Sequence, residues 1–172
     1  MSKKTLTLLA VGLGLSGTVL GATTAFAAGT EGSKSIPVSY ANQESVPDPD
    51  NPDGADWQVG IPTGVHFTNE TNKVNVGVEL QKPDYSPHDD PSLNVNVSLS
   101  SLNSYDLVKG AKKVAYKVTY NSQMNKNNTK QLIGTLTGGS STYRIDGNAE
   151  LLGRSDEVGR YNDSLTYYIQ KQ

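Results

Sequence analysis

The chain has 172 residues, with 15 basic and 17 acidic side chains and no cysteine. No run of basic residues occurs, which argues against nucleic acid or an anionic membrane as a partner. The lack of cysteine excludes disulfides, thiol catalysis and thiolate metal ligands.

Residues 1–27 have the layout of a secretory signal peptide. Lys3 and Lys4 give a basic start, residues 6–20 form an apolar run, and Ala25 and Ala27 are small residues at a cleavage site. The apolar run is shorter than the ~20 residues that span a bilayer. We therefore expect a secreted protein that is extracellular or associated with the cell wall. We expect no transmembrane anchor after cleavage.

Residues 28–55 are predicted to be an N-terminal arm and a spacer. Residues 36–40 could form a short strand, and residues 46–55 contain three prolines and an Asp-Gly pair, which favour turns. The arm is a candidate strand donor, either to its own domain or to a partner in a strand-exchange oligomer.

Residues 56–172 carry repeated alternation of apolar and polar residues, which predicts half-buried strands because successive side chains point to opposite faces. The strictest example is residues 74–80. Residues 121–130 are predicted to be a loop, and Asp146-Gly147 is predicted to be the turn of a hairpin. The pattern indicates an all-β fold, an antiparallel β-sandwich of Ig-like or adhesin-like type with about eight to ten short strands. The predicted strands are residues 57–61, 74–80, 93–99, 105–108, 114–120, 131–136, 142–145, 149–152 and 161–170, and Val65 and Phe67 extend the first of them after a turn.

Motifs for enzymatic chemistry are scarce. Neither a Gly-X-Ser-X-Gly elbow nor a phosphate-binding glycine loop is present. The spacing in two acidic groups that resemble metal-binding loops favours solvated loops instead. The two groups are Asp48, Asp50, Asp53 with Gly54, and His88, Asp89 with Asp90. A glycosidase-like carboxylate pair and an internal Lys–Asn isopeptide crosslink stay open as alternatives. We expect a protein that is not an enzyme and has no catalytic residue, metal or cofactor.

Trp57 is the only tryptophan. It alternates in register with Val59 and Ile61, which favours a place in the core. The alternative is an exposed platform for stacking on a sugar. Such a protein would be a carbohydrate-binding module, and its candidate ligand surface is Trp57, Tyr105, Tyr143, Tyr161 and Tyr168.

Several short motifs resemble those of known proteins. They are residues 36–40, the Pro/Asp segment 47–52, residues 56–62 and the closing residues 159–169. Together they resemble the small WxL-type surface proteins of Gram-positive bacteria, although no Trp-X-Leu occurs in this sequence. The resemblance implies a cell-surface protein of structural or adhesive type. Such a protein associates noncovalently with the cell-wall polymer or with other surface proteins.

Overall fold

A computed structural model describes residues 44–121 and 129–172, together with the backbone of residues 123–125. The predicted signal peptide (1–27) and the predicted strand at residues 36–40 lie outside the described residues. All described residues belong to one compact unit, Ala41–Gln172.

The described residues form twelve strands in three antiparallel sheets, which confirms the predicted all-β, sandwich-like fold. Two single 3-10 turns, Pro52–Gly54 and Ser141–Tyr143, lie between strands. Sheet A has the order β1-β2-β4-β10, sheet B has the order β3-β11-β7-β6 with β8 also paired to β7, and sheet C has the order β12-β5-β9. The strands are β1 Glu44–Pro47, β2 Gln58–Ile61, β3 Lys73–Asn75, β4 Val78–Gln81, β5 Asn94–Ser101, β6 Asp106–Lys109, β7 Lys112–Tyr120, β8 Gln123–Asn125, β9 Gln131–Thr137, β10 Arg144–Ile145, β11 Gly147–Leu151 and β12 Leu165–Lys171.

The segment 74–80 was predicted to be one strand, and this is wrong. β3 pairs with β11 in sheet B, whereas β4 pairs with β2 and β10 in sheet A. The chain changes sheets at Val76 and Gly77, where Val76 is fully buried and its N–H donates to Gly147 O at 2.9 Å. The alternation continues through the change of sheet: Val74 is half-buried, and Val76, Val78 and Leu80 are buried. The sequence pattern therefore does not reveal the break.

The predicted hairpin around Asp146-Gly147 is also wrong. β10 pairs with β4 in sheet A, and β11 pairs with β7 and β3 in sheet B. Gly147 lies opposite Tyr120 in the ladder, and a Cβ at this position would overlap the tyrosine ring. Glycine is therefore required here by close packing, and not by a turn.

The stretch predicted as a spacer is part of a folded hairpin. Val46 and Pro47 belong to β1, which pairs antiparallel with β2. Asp48 is buried, and its N–H donates to Trp57 O at 3.1 Å. The connection between the two strands contains the 3-10 turn, so the predicted start of the body at residue 56 falls inside this hairpin.

The core lies between the inner faces of the sheets as one cluster. Val95, Val97 and Leu99 of β5 are fully buried, and they lie on the same face as Ile133 and Leu136 of β9. Val65 and Phe67 lie outside the strands but pack against this cluster. From β7, Tyr116, Val118 and Tyr120 point into the same core.

Candidate functional site

The structure does not bring the five predicted aromatic residues together. Trp57 and Tyr105 are each only 3% exposed and belong to the core cluster, so their rings offer no platform for a ligand. Tyr143 is partly buried in the second 3-10 turn. The hydroxyl of Tyr161 donates to Glu157 O at 3.2 Å and lies 2.6 Å from Ser155 Oγ. Of the five, Tyr168 alone is classed as exposed, at 39%.

Tyr168 lies on the outer face of sheet C, which we call the polar face. Its members alternate with buried residues along β5 and with half-buried residues along β12, which places them on the outer face. Ser98, at the centre of this face, is itself only 7% exposed. The register aligns Tyr168 of β12, Ser98 of β5 and Leu132 of β9 in one row across the sheet. None of its ten members carries a charge: they are Asn94, Asn96, Ser98, Ser100, Leu132, Thr135, Thr137, Thr166, Tyr168 and Gln170.

Hydrogen bonds between strands hold the amides of the polar face in place. Thr135 Oγ1 donates to Asn96 Oδ1 at 2.7 Å, and Thr137 Oγ1 donates to Asn94 Oδ1 at 2.8 Å. Gln172 Nε2 also donates to Asn96 Oδ1, at 2.9 Å. These contacts use the oxygen of each asparagine. Asn94 Nδ2 donates one of its hydrogens to Ser92 O at 3.3 Å, and the amide nitrogen of Asn96 carries two donors. The face therefore presents oriented donors next to an aromatic ring.

A lysine lies over the ring of Tyr168. Lys130 Nζ is 5.0 Å from the ring centroid, a cation–π distance. The Tyr168 hydroxyl lies 3.4 Å from Ser100 Oγ. Leu132, on the other edge strand of the sheet, is 60% exposed. A ligand that stacks on Tyr168 from the lysine side would have to displace the Lys130 ammonium or bind to it.

A second feature is a groove of about 260 Å³ at the start of β12, which we call the Asp163 groove. Asp163 accepts four hydrogen bonds within the protein. Its Oδ2 receives Ser101 Oγ and Tyr116 OH, both at 2.6 Å. Its Oδ1 receives the N–H groups of Asn103 at 2.9 Å and Ser164 at 2.7 Å. The groove is lined by Glu44, Ile61, Pro62, Thr63, Gly64, Val65, Phe67, Leu107, Tyr116, Asp163, Leu165 and Tyr167.

Three tyrosine hydroxyls lie in or beside the groove, and burial raises the pKa of all three. Burial together with the Asp163 carboxylate raises the pKa of Tyr116, and burial together with Tyr167 raises that of Tyr120. Burial raises the pKa of Tyr167 to about 12. Tyr120 OH donates to Val76 O at 2.6 Å, so its oxygen accepts the proton of Tyr167 OH at 2.9 Å. These groups stay protonated near neutral pH and hold sheet B against sheet C.

The acidic loops show ordinary local bonding. Asp48 Oδ1 accepts from Asp50 N at 3.0 Å, which is a turn contact. The hydrogen-bonded ammonium of Lys82 lowers the pKa of Asp89. Among the described residues, no group of three or more His, Cys, Asp or Glu side chains is arranged to hold a metal ion. In the same part of the chain, no helix is long and apolar enough to cross a membrane.

The sequence analysis named Tyr168, but it did not predict the polar face around this residue or the Asp163 groove. The polar face has a signal in the sequence, since Asn94, Asn96 and Ser98 alternate with apolar residues at positions 95, 97 and 99. The polar face becomes three strands wide only because β5 pairs with β9 and β12. The Asp163 groove has no such signal, because its lining comes from separate parts of the chain. Comparisons with models of known protein families and with curated protein sequences gave no match.

Proposed function

We propose that the protein is an exported, nonenzymatic cell-surface protein of structural or adhesive type. It associates noncovalently with the polymer of a Gram-positive cell wall or with other surface proteins. The observation that carries the proposal is the polar face, whose ten members are uncharged and span three strands, with the Lys130 ammonium over the Tyr168 ring. The resemblance to WxL-type proteins and the signal-peptide pattern of residues 1–27 support the same function.

The chemistry of the polar face suits a glycan strand. Sugars are neutral, carry many hydroxyl groups, and have an apolar C–H face that packs on an aromatic ring. Amide and hydroxyl side chains can both donate to and accept from sugar hydroxyls, whereas a face crowded with charges would lose hydration energy on contact. Tyr168 and Leu132 supply the apolar patch at the centre of the face.

The free edge of sheet C favours a protein partner as the alternative. β12 pairs with β5 on one side, and within the described residues it has no strand on its other side. The bonds from Gln172 N to Asn94 O and from Leu102 N to Ser164 O indicate that even-numbered residues of β12 bond to β5. The N–H and C=O groups of Leu165, Tyr167 and Ile169 therefore point outward, where a partner strand could add.

A carbohydrate-binding module in the strict sense is the second candidate, and the exposed ring of Tyr168 favours it. Such a module binds soluble oligosaccharides as well as the intact polymer. A wall-associated protein that depends on many weak contacts along an insoluble strand binds the polymer alone. Binding of short glycan fragments therefore separates the two candidates.

The test is sedimentation of the purified protein with Gram-positive cell walls, with and without their teichoic acid and proteins. Two variants alter the polar face: Tyr168→Ala removes the ring, and Asn96→Asp introduces a charge. The matched control is Tyr85→Ala, because Tyr85 is 53% exposed in a loop outside the polar face. Circular dichroism of each variant checks that the fold is intact.

Binding to stripped peptidoglycan that both face variants weaken several-fold, and that Tyr85→Ala leaves unchanged, would support a glycan-binding face. Binding only to walls that retain their proteins would make the protein part of a surface assembly, with the β12 edge as the next element to block. If no wall preparation binds the protein, or if the face variants bind as well as the unaltered protein, the role of the polar face is contradicted.

A further inference from the structure

The fully charged side chains that line the Asp163 groove are all acidic. Glu44 and Asp163 are its two ionisable carboxylates, and neither lysine nor arginine is among its lining residues. Six ion pairs are formed by the described residues, and neither of these carboxylates takes part in them. The groove therefore contains negative charge that lacks a nearby cation in this part of the chain.

The neighbours of Asp163 hold its carboxylate in one orientation. Two hydroxyls and two backbone N–H groups donate to it, all at 2.9 Å or less. Hydrogen bonds from neutral donors position and stabilise a carboxylate, but they leave its negative charge in place. A ligand would meet this charge at a fixed position, with no ordering of the side chain needed on binding.

Three of the other ten lining residues of the groove are aromatic. Phe67 and Tyr167 are half-buried and line the groove. Tyr116 is only 5% exposed and packs against Phe67, with ring centroids 5.9 Å apart and planes tilted by 55°. The face of an aromatic ring is electron-rich and attracts a cation that lies against it. Apolar contact with such rings also favours a cation that carries methyl or methylene groups over a small hydrated metal ion.

We propose that the Asp163 groove binds an alkylammonium group. Its volume of about 260 Å³ lies below the ~300–1,000 Å³ typical of sites for whole drug-sized ligands, so it takes a head group or a single side chain. Two sources have this chemistry: a lysine side chain of a peptide, and a quaternary ammonium head group such as choline. The inference is independent of the proposed function, because the groove and the polar face are separate sites.

The test compares cations with neutral molecules of the same shape, by NMR of the aromatic side chains of the purified protein. Choline is paired with 3,3-dimethylbutan-1-ol, and N-acetyl-lysine amide with N-acetyl-norleucine amide. We expect one cation to shift the resonances of Phe67, Tyr116 or Tyr167, and its neutral partner to leave them unchanged. Whichever cation binds identifies the source. Added salt should weaken the binding, since the attraction is partly Coulombic.

Two variants connect any binding to the groove. Glu44→Gln removes the charge at the rim and should weaken binding about fivefold, the effect of one nearby charge in a solvated site. Phe67→Leu keeps apolar bulk but removes the ring, and should weaken binding about threefold. Asp156→Asn is the matched control, because Asp156 is exposed and does not line the groove.

Equal binding of a cation and its neutral partner would overturn the proposal, as would the absence of binding by both cations. Equal weakening by Glu44→Gln and Asp156→Asn would also overturn it, because the effect would then come from the net charge of the protein and not from the groove.

Discussion

Tyr167 and Tyr168 are neighbours at the centre of β12, but they lie on opposite faces of sheet C. Tyr167 packs against the core, and its hydroxyl bonds to Tyr120 across the sandwich. Tyr168 lies on the polar face beneath Lys130. The same residue type therefore stabilises the fold at one position and is available to a ligand at the next. The cause is that successive side chains of a strand point to opposite faces of the sheet.

The largest expected effect comes from removing each ring in turn. Tyr167→Ala should lower the free energy of unfolding by about 3 kcal/mol, because it leaves a cavity beside the core and removes the partner of Tyr120. Tyr168→Ala should change it by less than about 0.5 kcal/mol, as is usual for a surface position. Urea denaturation of both variants measures the difference. Similar losses for the two variants would contradict the assignment of the faces.

High pH should destabilise the fold through the inner tyrosine. An unfolded tyrosine ionises near pH 10, whereas burial raises the pKa of Tyr167 to about 12, so the unfolded chain loses its proton first. The stabilisation is fully present below pH 10 and is lost as the pH rises toward 12. Each tyrosine whose pKa is raised by burial should lower the free energy of unfolding by about 1.4 kcal/mol per pH unit in that window.

Denaturation measured at pH 8, 10 and 11 tests this expectation. Tyr167→Phe should make the decline between pH 10 and 11 less steep, while Tyr116 and Tyr120, whose pKa values are also raised, still contribute to it. A decline that is unaffected by Tyr167→Phe would show that ionisation of this tyrosine does not limit stability at high pH.

Removal of one hydroxyl should have a smaller effect. Tyr120→Phe leaves Val76 O without its donor in a buried site, and it removes the acceptor for Tyr167 OH. We expect the free energy of unfolding to fall by about 1–2 kcal/mol, because a buried polar group is left without a hydrogen-bond partner. Tyr167→Phe is the control in the same denaturation assay. It leaves the Tyr120–Val76 bond intact and should cost less, and the reverse order would contradict the assigned direction of these hydrogen bonds.

The smallest expected effect on stability comes from the outer face. Lys130→Ala removes the cation over the Tyr168 ring and should change the free energy of unfolding by less than about 0.5 kcal/mol. It should nevertheless increase binding to stripped peptidoglycan, if a sugar stacks on the face of the ring that Lys130 covers. Lys112→Ala, at another exposed lysine, is the control for the change in net charge. Weaker binding by Lys130→Ala alone would indicate that the ammonium contacts the ligand directly.

Alternation in the sequence was sufficient to find the strands that keep one face on the core. It located β2, β5, β7 and β12, and it identified Leu165, Tyr167 and Ile169 as the inward side of the last strand. It also favoured the core for Trp57 over an exposed platform. These predictions succeed because the period of two depends only on which face is buried, and not on the partner strand.

Pairing between strands could not be predicted in the same way. Nothing in the alternation of residues 74–80 marks the change of sheet at Gly77. Gly147 follows an aspartate and so resembles a hairpin turn, but its lack of a side chain serves the ring of Tyr120. The Asp163 groove depends on Glu44, Phe67 and Asp163, which only the folded chain brings together. Long-range contacts of this kind leave no local signal.

The position of β12 in sheet C also sets the order of events during folding. β12 follows the other described strands in chain order, and it pairs along its whole length with β5, far earlier in the chain. Sheet C and the bond from Tyr167 to Tyr120 cannot form until residues 165–171 are available. Such non-local pairing is slow to form, because a long loop must close before its contacts are gained. If the chain is exported as we propose, this delay would help to keep it unfolded until it has crossed the membrane.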